Sequence, residues 1–322
     1  MLVTPVLEVE HLSKNFPIAQ GFLRRTIAEL RAVDDVSFQM PPGETLCVVG
    51  ESGCGKSTLG KLVLRLLEPS AGRIQIDNQD VTTLSSEQMR PLRRRVQMVF
   101  QDPYASLNPR LSAAEIVTEP LENYERLSTA DRRDRAATLL SRVGLRPDML
   151  DRMPFEFSGG QRQRLGIARA LSVQPALIVA DEPVSALDVS VQAQVLNLMM
   201  DLQDEFALGY LFISHDLGVV EHIGQRIAVM YLGRIVELAD RDALFAAPQH
   251  PYSEALLAAA PLPDPRARRV RPIIEGEVPS PIDPPSGCAF HPRCPYAVAR
   301  CRTETPALRR LTDGRLAACH LR

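Results

Sequence analysis

Short runs of Val, Ile, Leu and Phe alternate along this chain with segments whose apolar residues recur every three or four positions. The short runs predict strands at residues 7–10, 36–40, 45–49, 73–77, 96–100, 177–180, 210–213, 226–230 and 234–237, most of them bounded by Gly, Pro or Asp. The longer-period segments predict helices at 56–67, 129–143, 159–171 and 191–206. Strands alternating with crossover helices predict an α/β fold with a largely parallel sheet core. Residues 102–157 carry no strand pattern and read as a helical insert between core strands.

Beyond about residue 250 the pattern breaks. Of 26 prolines, 13 lie between Pro248 and Pro306. Proline cannot donate to a ladder and breaks helix interiors. One short helix, 253–260, opens this tail, and the rest should be loop. A loop-rich segment buries little apolar surface, so a staple is expected.

Composition narrows the partners. Hydrophobic residues are 45% of the 322 and charged residues 24%, enough for a packed core. A net charge of −2 gives no electrostatic reason to expect nucleic acid as a partner. The basic spots Arg93-Arg94-Arg95 and Arg24-Arg25 read as solvated surface. No stretch reaches the ~20 consecutive apolar residues of a membrane helix. The opening MLVTPVLEVEH lacks the charged start and long apolar core of a secretory signal. A cytosolic protein that reaches a membrane only through partners is expected.

Chemistry concentrates at a few points. Gly50-Glu51-Ser52-Gly53-Cys54-Gly55-Lys56-Ser57 fits G-x-x-x-x-G-K-[ST], after an apolar strand and at the opening of a helix that continues with Thr58. Glycines let the backbone wrap so that its N–H groups face phosphate oxygens, and the helix N-terminus favours an anion. Lys56 should reach the β- and γ-phosphates, and the Ser57 hydroxyl should ligate Mg²⁺. Cys54 reads as a packing residue, with some oxidation sensitivity expected because a helix N-terminus lowers a nearby thiol pKa. The run Leu177-Ile178-Val179-Ala180 ends in Asp181 and Glu182. Asp181 can hold Mg²⁺ through water, and Glu182 can polarise an attacking water. Phe157-Ser158-Gly159-Gly160-Gln161 opens a further helix and forms a second anion site of N–H groups, hydroxyl and dipole. Two such sites in one chain suggest two copies sharing nucleotides.

These motifs, in this order and spacing, resemble the ATP-binding subunits of ABC transporters. The resemblance covers roughly residues 6–250. It makes Gly50 to Ser57 the Walker A loop and Phe157 to Gln161 the signature motif, with Phe where Leu is commonest. It makes Ile178 to Glu182 Walker B, Ser185-Ala186-Leu187-Asp188 the D-loop, Gln101 the Q-loop and His215 the switch histidine. The fold implied is a P-loop NTPase ABC nucleotide-binding domain at 1–250, with a helical subdomain at about 102–172 and a small Cys/Pro-rich extension at 251–322. The resemblance implies a head-to-tail dimer, each ATP sandwiched between one Walker A and the other subunit's signature. Gln101 would then sense Mg²⁺ or lytic water, and His215 would contact the γ-phosphate. His11, His222 and His250 have no comparable context and read as surface residues. Phe16 either stacks on adenine or packs in the core; an apparent insertion at 21–31 lengthens its distance from Gly50.

The segment around Gln101, Phe100-Gln101-Asp102-Pro103-Tyr104-Ala105-Ser106-Leu107-Asn108-Pro109, looks like the oligopeptide, dipeptide and nickel importer branch. So do Glu156 to Arg164 and the tail His250-Pro251-Tyr252 with Leu256-Leu257 and Pro261. Gly21-Phe22-Leu23-Arg24-Arg25 looks like the second of two ATPase subunits. The branch implies import of peptides, with nickel, glutathione or another small solute as alternatives, and a cytosolic ABC ATPase without transport as a third. It implies a heterodimer with a second ATPase subunit, two transmembrane permease subunits and an extracytoplasmic solute-binding protein. The chain would sit peripherally on the cytoplasmic face of the plasma or inner membrane. Cys288, Cys294, Cys301 and Cys319 lie in the Pro-rich tail. Four cysteines can ligate zinc or an iron–sulfur cluster, and similar tails in the subfamily imply a [4Fe–4S] cluster as the staple. Cys47, on a core strand, reads as a small hydrophobe.

Overall fold

A computed structural model describes residues 4–20, 25–259 and 276–322. Residues 21–24 of the expected insertion and Pro261 lie outside the described residues. The chain divides into two compact units. One holds Leu7–Met40, Thr45–Thr82 and Ile213–Arg322; the other holds Pro41–Glu44, Thr83–Phe212 and the segment before Leu7.

In the first unit, strands Leu7–Gln20 and Arg25–Met40 form a long antiparallel hairpin, with Leu7 opposite Met40 and Phe16 opposite Leu30. Residues 25–31, expected as part of an insertion, instead extend this hairpin. Both strands run far beyond the short apolar patches that announced them. Their outer parts, residues 14–20 and 25–31, pair with each other and mix apolar with polar residues, so no clean alternation in the sequence marks them. Strand Ala71–Ile76 pairs antiparallel on the other side of Leu7–Gln20, followed by Gln79–Asp80. The second sheet region is built on Thr45–Val49, parallel to Arg226–Tyr231. All five residues of Thr45–Val49 are buried, as expected of a parallel strand covered on both faces. Arg234–Asp240, Leu316–Ala317 and Arg309–Arg310 continue the order antiparallel.

In the second unit, Val96–Val99 runs parallel to Leu177–Asp181, itself buried throughout. The connection between them is helical among the described residues, with Ala113–Thr118, Thr129–Arg142 and Gly159–Leu171 the main pieces. The long helix Val189–Phe206 follows. Gly160 lets two of these helices meet closely, since a Cβ there would lie 2.3 Å from Val191 Cγ1.

The tail is stapled, but by side-chain packing and not by a metal. Tyr231, Tyr252 and Phe290 are each almost wholly buried. Their ring centroids lie 4.7 to 5.4 Å apart in tilted and edge-on pairs. Each such pair adds about 0.5–1.5 kcal/mol beyond its burial. The helix Pro251–Ala259 carries Tyr252 into this cluster.

Among the described residues no group of three or more His, Cys, Asp or Glu side chains is arranged to hold a metal ion. This overturns the iron–sulfur expectation at Cys288, Cys294, Cys301 and Cys319, and the zinc alternative with it. All four are unbridged thiols. Burial pushes the Cys288 thiol up to about 11 and raises that of Cys294, which opposes the thiolate a metal needs. Cys301 and Cys319 are buried and act as small hydrophobes. Cys47 does the same, fully buried in Thr45–Val49.

His250, expected at the surface, is 2% exposed. Its Nδ1 accepts from the Tyr252 backbone N–H at 3.0 Å, and the His250 backbone N–H donates to the buried Glu237 carboxylate at 2.8 Å. Burial lowers its pKa to about 3. In the unfolded chain the ring takes up a proton near its ordinary value of 6.5, so the unfolded state binds more protons between the two values. Stability is therefore lost as pH falls through that window, by about 2 kcal/mol at about pH 5. Glu237, raised by burial, tilts the other way, so the comparison must be between proteins. His250→Asn should cut the difference in unfolding free energy between about pH 7.5 and pH 5 by roughly 2 kcal/mol, read by urea titration. An unchanged pH dependence would mean that the ring titrates normally in the fold.

Candidate active site

The phosphate-type loop stands where the sequence puts it, between strand Thr45–Val49 and helix Lys56–Val63. Gly55 is the helix N-cap, at φ 107°, a conformation that L side chains rarely adopt. A Cβ there would lie 2.0 Å from Ala32 O, and one on Gly50 would lie 2.1 Å from Met230 O. Both glycines are thus needed for space as well as for rotation. The loop turns back on itself through Lys56. Its Nζ donates to Gly50 O at 2.8 Å and Glu51 O at 2.9 Å, and the side chain is nearly buried. Ser52, Gly53 and Ser57 face outward, with Thr58 half-buried behind them. Cys54 is 5% exposed, and burial raises its thiol pKa against the lowering pull of Lys56. The expected oxidation sensitivity is corrected on that ground, because desolvation outweighs the cation.

Glu51 is the most constrained residue of the loop. Its N–H donates to the Tyr252 hydroxyl at 2.8 Å. Its carboxylate receives both arms of the Arg293 guanidinium, at 2.8 and 3.0 Å. Neither Tyr252 nor Arg293 was expected at the site. The His-Pro-Tyr triplet marked the tail by resemblance only, and nothing local in the sequence says that position 293 reaches position 51.

His215 belongs to the same unit. Ser214 N–H donates to Val48 O at 3.2 Å, and Asp216 caps helix Leu217–Ile223 through Gly218 and Val219 N–H. The histidine is held between a strand end and a helix cap, with its ring exposed. Phe16 is half-buried within strand Leu7–Gln20, not after it, and the Lys14 ammonium sits 5.2 Å from its ring centroid.

In the second unit, Asp181 ends its strand and is 7% exposed. Glu182 follows at φ 48°, a left-handed conformation costing about 1–3 kcal/mol for a non-glycine residue. Its Oε2 accepts from Gln101 Nε2 at 2.9 Å. Residues 81 positions apart in sequence thus meet. Ser158 caps helix Gly159–Leu171: its Oγ accepts from Gln161 N–H at 3.3 Å, and Gln161 Oε1 accepts from Ser158 N–H at 3.0 Å. This capping box satisfies the Gln161 N–H of the first turn and that of Ser158, and places Gly159 and Gly160 at the first two helical positions.

The comparisons agree with this anatomy. Residues 33–185 match the ABC transporter family, and 236–301 match the oligopeptide/dipeptide transporter C-terminal region. The chain is 62% identical to the probable peptide ABC transporter ATP-binding protein y4tS of Sinorhizobium fredii, over 98% of this chain and 90% of that protein. It is 50% identical to the oligopeptide transport ATP-binding protein AppF of Bacillus subtilis, over 98% and 97%. Among solved structures, the dimeric cassette MJ0796 in a post-hydrolysis state with ADP and Pi matches at TM-score 0.65 and 29% identity. That match covers 73% of this chain and 98% of that one. With its phosphate loop, its strand-end carboxylates and these relatives along nearly its whole length, the chain belongs to the ABC transporter ATP-binding family, as an ATPase of the branch carrying the oligopeptide/dipeptide C-terminal region.

Proposed function

We propose that this chain hydrolyses ATP to drive import of di- or oligopeptides through separate membrane subunits. One observation carries the reading. A phosphate loop and a glutamine-held carboxylate occur in a chain that also carries the oligopeptide/dipeptide C-terminal region. The backbone of Gly50, Glu51, Ser52, Gly53, Cys54 and Gly55, with Lys56, Ser57 and Thr58, takes the phosphates. Phe16 covers the adenine face. Glu182 positions and polarises the attacking water, and Gln101 orients Glu182. His215 contacts the γ-phosphate, and Ser158, Gly159, Gly160 and Gln161 of a second ATPase subunit close the site. The Ser57 hydroxyl, the Gln101 carbonyl and the Asp181 carboxylate are hard oxygen donors that suit Mg²⁺. When bound, Mg²⁺ supplies charge neutralisation on the phosphate oxygens. The division into a nucleotide-binding domain at 1–250, with its helical subdomain at about 102–172, and an extension at 251–322 belongs to the same proposal.

No helix among the described residues is long and apolar enough to cross a membrane. Transport then requires membrane subunits, and the relatives named for peptide transport support that assignment. Affinity purification of the tagged chain from detergent-solubilised native membranes should bring down two membrane-spanning proteins and a second ATPase, with a peptide-binding protein encoded beside them. Recovery of ribosomal or DNA-repair proteins without membrane subunits would overturn the transport assignment.

A further inference from the structure

The tail reaches the phosphate loop at Glu51, holding its N–H and its carboxylate, while the loop itself holds its C=O. Glu51 N–H goes to Tyr252 Oη, its C=O accepts from Lys56 Nζ, and its carboxylate takes the Arg293 fork. Arg293 is 7% exposed and Glu51 26%. The pair is therefore largely removed from water, and a two-armed guanidinium–carboxylate bond fixes orientation as well as charge. The pair raises the Arg293 pKa further, so its charge is permanent. Tyr252 is clamped in turn by Tyr231 and Phe290, and Arg293 also lies 5.9 Å from the Tyr231 ring centroid.

A carboxylate on a loop that cradles a triphosphate is a problem in electrostatics. Like charges repel, and more strongly where water is excluded. If the loop binds ATP as argued above, Glu51 opposes the ligand unless something neutralises it and fixes where it points. We propose that Arg293 and Tyr252 are positioning residues for the phosphate loop. In this reading the C-terminal region sets nucleotide affinity by neutralising Glu51 and orienting its peptide unit. Neither side chain is a catalytic residue, since both act through Glu51.

The test is a titration of the full-length protein with a fluorescent ATP analogue and Mg²⁺, beside steady-state hydrolysis and thermal melting. Arg293→Ala should weaken nucleotide binding about tenfold and raise KM to match, with kcat at saturation retained. Glu51→Gln in that background removes the unpaired carboxylate and should restore affinity to within about threefold of wild type. Tyr252→Phe keeps the ring packing but removes the acceptor of the Glu51 N–H, and should weaken binding by a few-fold. A purely structural role would instead lower kcat and melting temperature together, and Glu51→Gln would not rescue it. Unchanged affinity in Arg293→Ala, or a loss that Glu51→Gln leaves in place, would overturn the proposal. If Arg293→Ala does not fold, Arg293→Lys carries the same test. It keeps the charge and loses the fork, so it should bind measurably more weakly, and wild-type affinity would count against the role. A wild-type protein that binds no nucleotide would sink the ATPase reading itself, whereas the ratios between variants bear only on the positioning role.

Discussion

Glu182→Gln should lower the rate of ATP hydrolysis by about 10²–10⁴-fold, the contribution typical of a positioned general base, while leaving ATP binding intact. The carboxylate follows a fully buried strand, stands at φ 48° and is oriented by Gln101 Nε2 at 2.9 Å. Glutamine preserves the volume and can still accept from Gln101, so the site should keep its shape. What is lost is the basic oxygen that draws a proton from water. With hydrolysis blocked, ATP should accumulate at the interface of paired subunits. Size-exclusion chromatography with Mg-ATP should then show a stable ATP-dependent dimer that wild type forms only transiently. The partner ATPase must be present if the pair is heteromeric. Turnover within about twofold of wild type would remove Glu182 from the chemical step.

Lys56→Ala should weaken ATP binding on the order of 10–100-fold, the loss of one or two charge-assisted hydrogen bonds. Lys56 is nearly buried, and its ammonium is held by Gly50 O and Glu51 O at the mouth of the loop. In the proposed function this ammonium is the cation offered to the phosphates, and the two carbonyls hold it within the loop. Alanine removes the ammonium from both carbonyls, leaving Glu51 O with the Cys54 N–H, and should leave the triphosphate without its counter-charge. The fold should survive, because the glycines that shape the loop are untouched. The titration used for Arg293 measures this directly, with melting temperature as the control. Equal affinity for wild type and Lys56→Ala would show that the nucleotide binds elsewhere.

Much of the first strand–loop–helix unit was legible because its causes are local. Glycine at positions 50 and 55 permits conformations that other residues resist, and a run such as Leu177 to Ala180 has nowhere to go but a buried strand. Ser158 with Gln161 is a capping box three residues apart, readable without any neighbour. Other parts were misread for an equally physical reason. The outer half of the Leu7–Gln20 and Arg25–Met40 hairpin mixes apolar and polar residues without clean alternation, so its second strand looked like part of an insertion. His250 looked like any loop histidine, and only the fold buries it against Phe290 and Glu237.

The tail separates the two kinds of knowledge. Its prolines said that it could not build a core of its own and would need a staple, and four cysteines suggested metal. Sequence by itself determined the phosphate loop, the strand-end carboxylates and the alternation of strand and helix, because these rest on short spacings and on backbone preferences, while the branch was legible by resemblance. Tertiary structure alone decided that the staple is Tyr231, Tyr252 and Phe290, and that Arg293 closes on Glu51 across 242 residues. Contacts of that range depend on where the whole chain returns in space. A single sequence, without its fold, does not encode that distance in any local pattern.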